Sequence, residues 1–346
     1  MTAVSWPSHL RASPELFPID LHPGLDVVAL VPVSRVDYEK ASFLDTRLER
    51  RPIATPPFAE VEAACAGLPI ACDHIFHIGH VGSTLLSRLL GTHRRVFSLR
   101  EPLALRTLAQ VQADRSPWPP AELTRRLSAL LALYSRTWTQ EQRALVKATS
   151  LVSEMAGAML DLEAGSRAIF MTVTPETYLA TILSGPNSRV ELKMAAPARL
   201  ARLSRRLGAP LARLETLSEG ELAAMSWACE TSALAAVAAA NPGRGLWMDF
   251  DRFLEDPSAG LSQLLIHLHG SAAPDDVERL AGSTYFDRYS KAPEFGYGPA
   301  VRRETLQAAR QDFAAEIRRG MAWLDAARSA GPLGPALEIL GTPNVA

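Results

Sequence analysis

The stretch Phe76-His77-Ile78-Gly79-His80-Val81-Gly82-Ser83-Thr84-Leu85-Leu86-Ser87-Arg88-Leu89-Leu90 changes its period at its glycines. Before the turn, His74–Ile78 reads as a short apolar strand ending at Gly79. After it, Leu85, Leu86, Leu89 and Leu90 recur at helical spacing, which predicts a helix over Ser83–Gly91. A strand that turns through glycines into a helix aims successive main-chain N–H groups at the turn, where they suit an anion. Gly79, Val81, Gly82, Ser83, Thr84 and Leu85 are the candidate cradle, and the Ser83 and Thr84 hydroxyls add donors. The Gly-Lys-[Ser/Thr] of triphosphate loops is missing, because Ser83 follows Gly82 directly. An ordinary strand-to-helix turn would share the local pattern.

Downstream the strand–turn–helix pattern repeats. Further strands are predicted at Arg95–Leu99, Ala144–Val146, Ala168–Val173 and Gly245–Phe250. Pro102 opens a helix, Asp114–Pro120 is a loop, and Ala121–Glu141 is a long amphipathic helix. A helix begins near Pro175, residues 189–241 are almost wholly helical, and three more helices follow, interrupted by an aromatic loop at Tyr285–Tyr297. Alternating strands and helices imply an α/β fold, a three-layer sandwich around a mostly parallel five-stranded sheet with added C-terminal helices. Residues 1–65 are proline-rich, with one strand-like run at Leu25–Val33, and read as an N-terminal extension packed on a main domain of 66–330. Residues 331–346 read as a tail.

Ligands of open parallel sheets bind beyond the carboxyl ends of the strands. Those ends deliver the cradle, then Arg100-Glu101, then Lys147, Thr149 and Ser150, then Thr172 and Thr174, then Asp249 and Asp251. Glu101 precedes Pro102, which keeps it out of helical geometry; a carboxylate there can take a proton from a hydroxyl, or simply favour the positive end of the next helix. His80 beside the cradle is a candidate donor or cation, or a residue that caps the turn. Lys147 is a candidate for neutralising a leaving phosphate, or one half of a strand-end salt bridge. Asp249 and Asp251 read as helix caps. His74, His77 and His93 are given no role. Lys291 lies in Arg288-Tyr289-Ser290-Lys291-Ala292-Pro293-Glu294-Phe295-Gly296-Tyr297, the densest mixture of basic and aromatic residues, which could close over a nucleotide or be a surface loop.

The run from His80 to Leu85 resembles the 5′-phosphosulfate loop of P-loop sulfotransferases, with His80, Val81, Gly82, Ser83, Thr84 and Leu85 in the places of that motif. Leu99-Arg100-Glu101-Pro102 is similar to the glutamate-bearing segment of tyrosylprotein and related Golgi-type sulfotransferases. The resemblance covers residues 70 to 300 loosely and is specific between 76 and 102. It implies a 3′-phosphoadenosine 5′-phosphosulfate donor and no metal. It also implies an Arg-x-Pro followed by serine at the 3′-phosphate, where this chain has Val173-Thr174-Pro175 and then Thr181. The hydroxyl of Thr181 is kept and the arginine is not; Arg189 is the candidate replacement.

Composition bounds the alternatives. With 36 basic and 37 acidic residues among 346, the chain lacks the basic field that gathers nucleic acid or anionic membrane. Only four of the basic residues are lysines (Lys40, Lys147, Lys193, Lys291), so a lysine is slightly favoured to act as a compact point charge. Cys65, Cys72 and Cys229 make neither a metal pair nor a disulfide framework, which fits a reducing compartment. Met1–Leu16 has no signal-like apolar run, and the longest runs, such as Val27–Val33 and Ala129–Leu133, fall short of a membrane span. The expectation is a cytoplasmic enzyme acting on a small-molecule acceptor, with a homodimer as the candidate assembly. A P-loop phosphotransferase using ATP and a non-catalytic nucleotide-binding module are the competing readings.

Overall fold

Five strands build one wholly parallel sheet: β3 (Cys72–His77), β4 (Val96–Arg100), β5 (Arg143–Lys147), β6 (Ala168–Thr172) and β7 (Gly245–Asp249), in the order β4-β5-β3-β6-β7. They belong to a computed structural model that describes residues 5–114, 118–208, 210–211, 213–292 and 294–329, together with Leu333. Every residue of β3, β4 and β6 is buried regardless of which face it points to, so helices cover the sheet on both sides. The fold is α/β, as the strand–helix alternation requires. The chain runs from β3 out to the edge strand β4, returns through β5, and then crosses β3 to β6 and β7. That reversal places a crevice at the carboxyl end of β3.

The N-terminal residues form a separate antiparallel hairpin, β1 (Leu16–His22) with β2 (Val27–Pro32), and short helices at Trp6–Ala12, Arg35–Lys40 and Phe58–Cys65. Leu10, Phe17, Leu30, Tyr38 and Phe58 are buried in the same apolar core as Ile75 and Val146. Three buried arginines fasten this segment through its own carbonyls. Arg100 donates to Ala41 and Tyr38, Arg88 to Lys40, and Arg136 to Leu10, Ser13 and Leu16. A main-chain carbonyl lets a cation be buried without a counter-charge, provided the donors are matched. Residues 331–346, read as a tail, lie outside the described residues apart from Leu333.

Several elements differ from their sequence reading. The helix expected over Ala121–Glu141 spans Pro120–Tyr134, because Ser135 caps it and the chain turns toward β5. After β7 the described residues form five α-helices rather than three: Phe250–Glu255, Pro257–His269, Pro274–Ala281, Pro299–Asp312 and Ala314–Ser329. Among the described residues one helix, Glu219–Ala240, is long and apolar enough to cross a membrane. It is a core element instead: 78% of its most apolar window is buried, and Glu230 within it accepts from Arg199 and Arg202 at 3.0 and 2.6 Å.

Candidate functional site

The cradle is shaped by backbone torsions that most residues avoid. Gly79, His80 and Gly82 all have positive φ, at 90°, 56° and 67°. Gly82 needs its missing side chain twice over, since a Cβ there would lie 2.1 Å from the Phe250 ring. The helix Ser83–Gly91 then starts with no side chain capping its first turn, so the leading amides are left for a ligand. Thr84 is 2% exposed and its Oγ1 has no hydrogen-bond partner among the described residues. An orphaned donor at the mouth of an amide cradle is what an anion site needs.

Glu101 follows β4 with φ +49°, a left-handed conformation rare for a residue bearing a Cβ. A residue before proline is expected to be extended, so tertiary contacts hold Glu101 here. Its N–H donates to the Lys147 carbonyl at 2.7 Å, and its Oε1 accepts from Lys147 Nζ. His80 and Glu101 are thus two strained non-glycine residues on the wall of one cavity. Strain of this kind concentrates where function over-determines the backbone.

That cavity also takes in Thr181, Ser184 and Ser188 from the helices after β6, and Arg288, Lys291, Tyr297 and Arg302 from the C-terminal side. The aromatic loop is folded back on itself. Tyr289 N–H donates to the Phe295 carbonyl at 2.8 Å, and the Tyr289 and Tyr297 rings meet edge-on at 5.5 Å. It is tied to the rest by Arg88, which donates to the Ser290 carbonyl at 2.9 Å, and by Ser42, which donates to the Lys291 carbonyl at 2.9 Å. Arg302 donates to Asp251 at 2.8 and 3.0 Å, with its guanidinium 5.0 Å from the Phe250 ring centre. Basic side chains at His80, Arg288, Lys291 and Arg302 face a cavity in which Glu101 is the single lining carboxylate among the described residues.

The residues singled out from sequence separate into two groups. Gly82, His80, Val81, Ser83, Thr84, Leu85, Glu101, Thr181 and Lys291 line the cavity together. Gly79 shapes the turn from just outside, donating its N–H to His77 Nδ1 at 3.0 Å. Lys147 does not reach the cavity. It is wholly buried behind Glu101, and burial pushes it below its ordinary lysine value while Glu101 opposes that shift. Its place is to hold Glu101, not to meet a leaving phosphate. Arg189 also points elsewhere, donating to Glu219 at 2.8 Å with Phe313 beside it, so it does not stand in for the missing arginine. Val173 is buried, and its carbonyl accepts from Trp227. Asp249 caps the following helix through the N–H groups of Asp251 and Arg252, as its position suggested.

Sequence reasoning missed His77, Phe250 and Arg302. Phe250 was within reach of the strand-end rule, because it directly follows β7; Arg302 sits in a helix far along the chain and carries no local signal. His80 Nε2 lies 3.7 Å from Glu191 Oε2, a pairing also invisible in sequence. Among the described residues no group of three His, Cys, Asp or Glu side chains is placed to share a metal ion.

No family model matches the chain, and no curated protein matches it. Among solved structures it is similar to the sulfotransferase domain from the curacin biosynthetic pathway, at 13% identity, 71% of this chain, 98% of that one and a TM-score of 0.43. It is also similar to a sulfotransferase from Mycobacterium tuberculosis (13% identity, 73% and 79% covered, TM-score 0.42) and one from Alicyclobacillus acidocaldarius (15%, 74% and 96%, 0.35). Likenesses this distant transfer no residue roles.

Proposed function

We propose that the chain is a sulfotransferase that moves a sulfuryl group from 3′-phosphoadenosine 5′-phosphosulfate to a hydroxyl or amine of a small-molecule acceptor. The observation that carries this reading is a lysine-free anion cradle with a carboxylate fixed across the same cavity. The amides after Gly82 and the Ser83 and Thr84 hydroxyls receive the 5′-phosphosulfate, and His80 adds a donor beside it. Lys291, Arg288 and Arg302 supply positive charge where the departing phosphate gathers negative charge. Glu101 Oε2, which no neighbour engages among the described residues, takes the proton as the acceptor oxygen or nitrogen bonds to sulfur and the bond from sulfur to the phosphate oxygen breaks. Transfer of this kind asks mainly for alignment and charge stabilisation, and the cavity offers both.

The 3′-phosphate end fits less completely. Thr181 and Ser184 spend their hydroxyl protons on the Thr177 and Thr181 carbonyls, and the wall they share with Ser188 holds no cation among the described residues. The loop carrying Arg288 and Lys291 therefore has to serve both phosphates of the nucleotide. A thermal-shift comparison tests the reading. Adenosine 3′,5′-bisphosphate at about a hundred times its dissociation constant contributes about 2.7 kcal/mol of stability, enough to raise the melting temperature measurably, with or without a chelator. Stabilisation by ATP with magnesium alone would instead mark a phosphotransferase. Bisphosphate binding without turnover of any acceptor would mark a nucleotide-binding module.

A further inference from the structure

His77 ends β3 beneath the cradle with a side chain only 7% exposed. The Gly79 amide donates to its Nδ1 at 3.0 Å, so in a neutral ring Nδ1 is bare and the proton sits on Nε2. That Nε2–H is buried on the cavity wall and has no hydrogen-bond partner among the described residues. Buried donors are nearly always satisfied, so such an atom points to a contact made with little movement. Glu101 Oε1 lies 3.9 Å away, and it is the same oxygen that Lys147 engages.

We propose that His77 is a positioning residue for Glu101, its Nε2–H joining Lys147 on Oε1 so that Oε2 is the oxygen turned toward the acceptor. The proposal rests on the role of Glu101 as the base. A small rotation of the carboxylate brings Oε1 into hydrogen-bond range, and catalytic contacts often tighten in this way. A neutral ring is required, and the surroundings favour one. Burial first, then the charges of Lys147, Lys291 and His80, hold His77 well below its ordinary value, while the Ala148 main chain opposes them. Glu101 itself is faced by Lys147 and by Arg47, which feels its charge. The alternative is a ring protonated on Nδ1, which would leave Nε2 bare and set the Nδ1–H against the Gly79 N–H.

NMR on the full chain, without nucleotide, decides between them. The expected ¹⁵N spectrum shows His77 as the Nε2–H tautomer throughout pH 5 to 8, with its Nε2 signal moving in Glu101→Gln. In the ¹³C spectrum at pH 7, His77→Leu should remove the hydrogen-bond contribution to the Glu101 carboxyl chemical shift, because a contact to the charged form is lost. His77→Gln, whose amide nitrogen reaches the place of Nε2, should restore most of it. If the leucine variant does not fold, His77→Asn serves, since its shorter amide takes the place of Nδ1 and leaves Oε1 without the donor. An Nδ1–H tautomer, or a Glu101 carboxyl signal unchanged by losing the donor, overturns the proposal. Failure of adenosine 3′,5′-bisphosphate to bind would bear on the sulfotransferase reading and leave this result standing.

Discussion

Glu101 and Lys147 form a pair in which neither residue is independent of the other. Lys147 is wholly buried, so its charge is tolerable only because Glu101 sits on it. Glu101→Gln therefore removes two things, a proton acceptor and the partner of a buried cation. Turnover per folded molecule should fall roughly a hundredfold or more, the usual scale for losing positioned acid–base help. Nucleotide affinity should stay close to wild type, since the cradle is untouched. The melting temperature should fall as well, because the lysine must lose its proton or remain unpaired. Adding Lys147→Met should recover melting temperature and leave turnover low. Calorimetry with adenosine 3′,5′-bisphosphate, melting curves, and turnover of an acceptor found by screening with a labelled donor measure the three separately. Wild-type turnover in the single variant would remove Glu101 from the chemistry.

The turn between β3 and its helix makes a sharper demand on one glycine than on the other. Gly79 at φ 90° has open space around it, with Ser150 Oγ 3.9 Å from where a Cβ would be. Gly82 at φ 67° has Phe250 at 2.1 Å. Gly79→Ala should cost about 1–2 kcal/mol of backbone strain, whereas Gly82→Ala adds a clash with an aromatic ring and should abolish bisphosphate binding. Phe250→Ala in the second background should return part of the stability; no return would mean that torsion alone sets the requirement. This element was legible in the sequence because everything that defines it is local. The helix Ser83–Gly91 has the bounds its leucines predict, and all five sheet strands are found within about two residues of where apolar runs placed them. What stayed hidden depends on distant partners. Whether Arg189 faces the cavity is decided by Glu219, thirty positions away, and Lys147 is withdrawn from the cavity by its own contact with Glu101. The hairpin strand β1 was obscured by Pro18, a residue that argues against a strand until its edge position is known.

At the scale of the whole molecule, stability should depend on pH through histidines that the fold keeps neutral. His74 is fully buried in the centre of the sheet, stacked on Phe76 at 5.4 Å, and neither ring nitrogen has a partner among the described residues. Burial, reinforced by Arg143 and Arg244, pulls it down to about 3. An unfolded chain protonates the same ring near pH 6.5. Between those two values the unfolded state binds the extra proton, so stability is intact above pH 6.5 and falls as the pH drops below it. One such histidine costs about 1.4 kcal/mol per pH unit, hence about 2 kcal/mol on going from pH 6.5 to 5.0. His77 shifts in the same direction, and His269, pulled down to about 4 first by burial, adds to the slope. Carboxylates titrate mostly below that window, so it isolates the histidines. Urea unfolding at pH 7.5 and 5.0 should show the loss in the wild type. His74→Leu should shrink it by about 2 kcal/mol while leaving stability at pH 7.5 unchanged or higher, because two unpaired buried nitrogens are replaced by a side chain that needs no partner. Equal losses in both proteins would mean that His74 takes up a proton in the folded state near its ordinary value, and that water reaches the centre of the sheet.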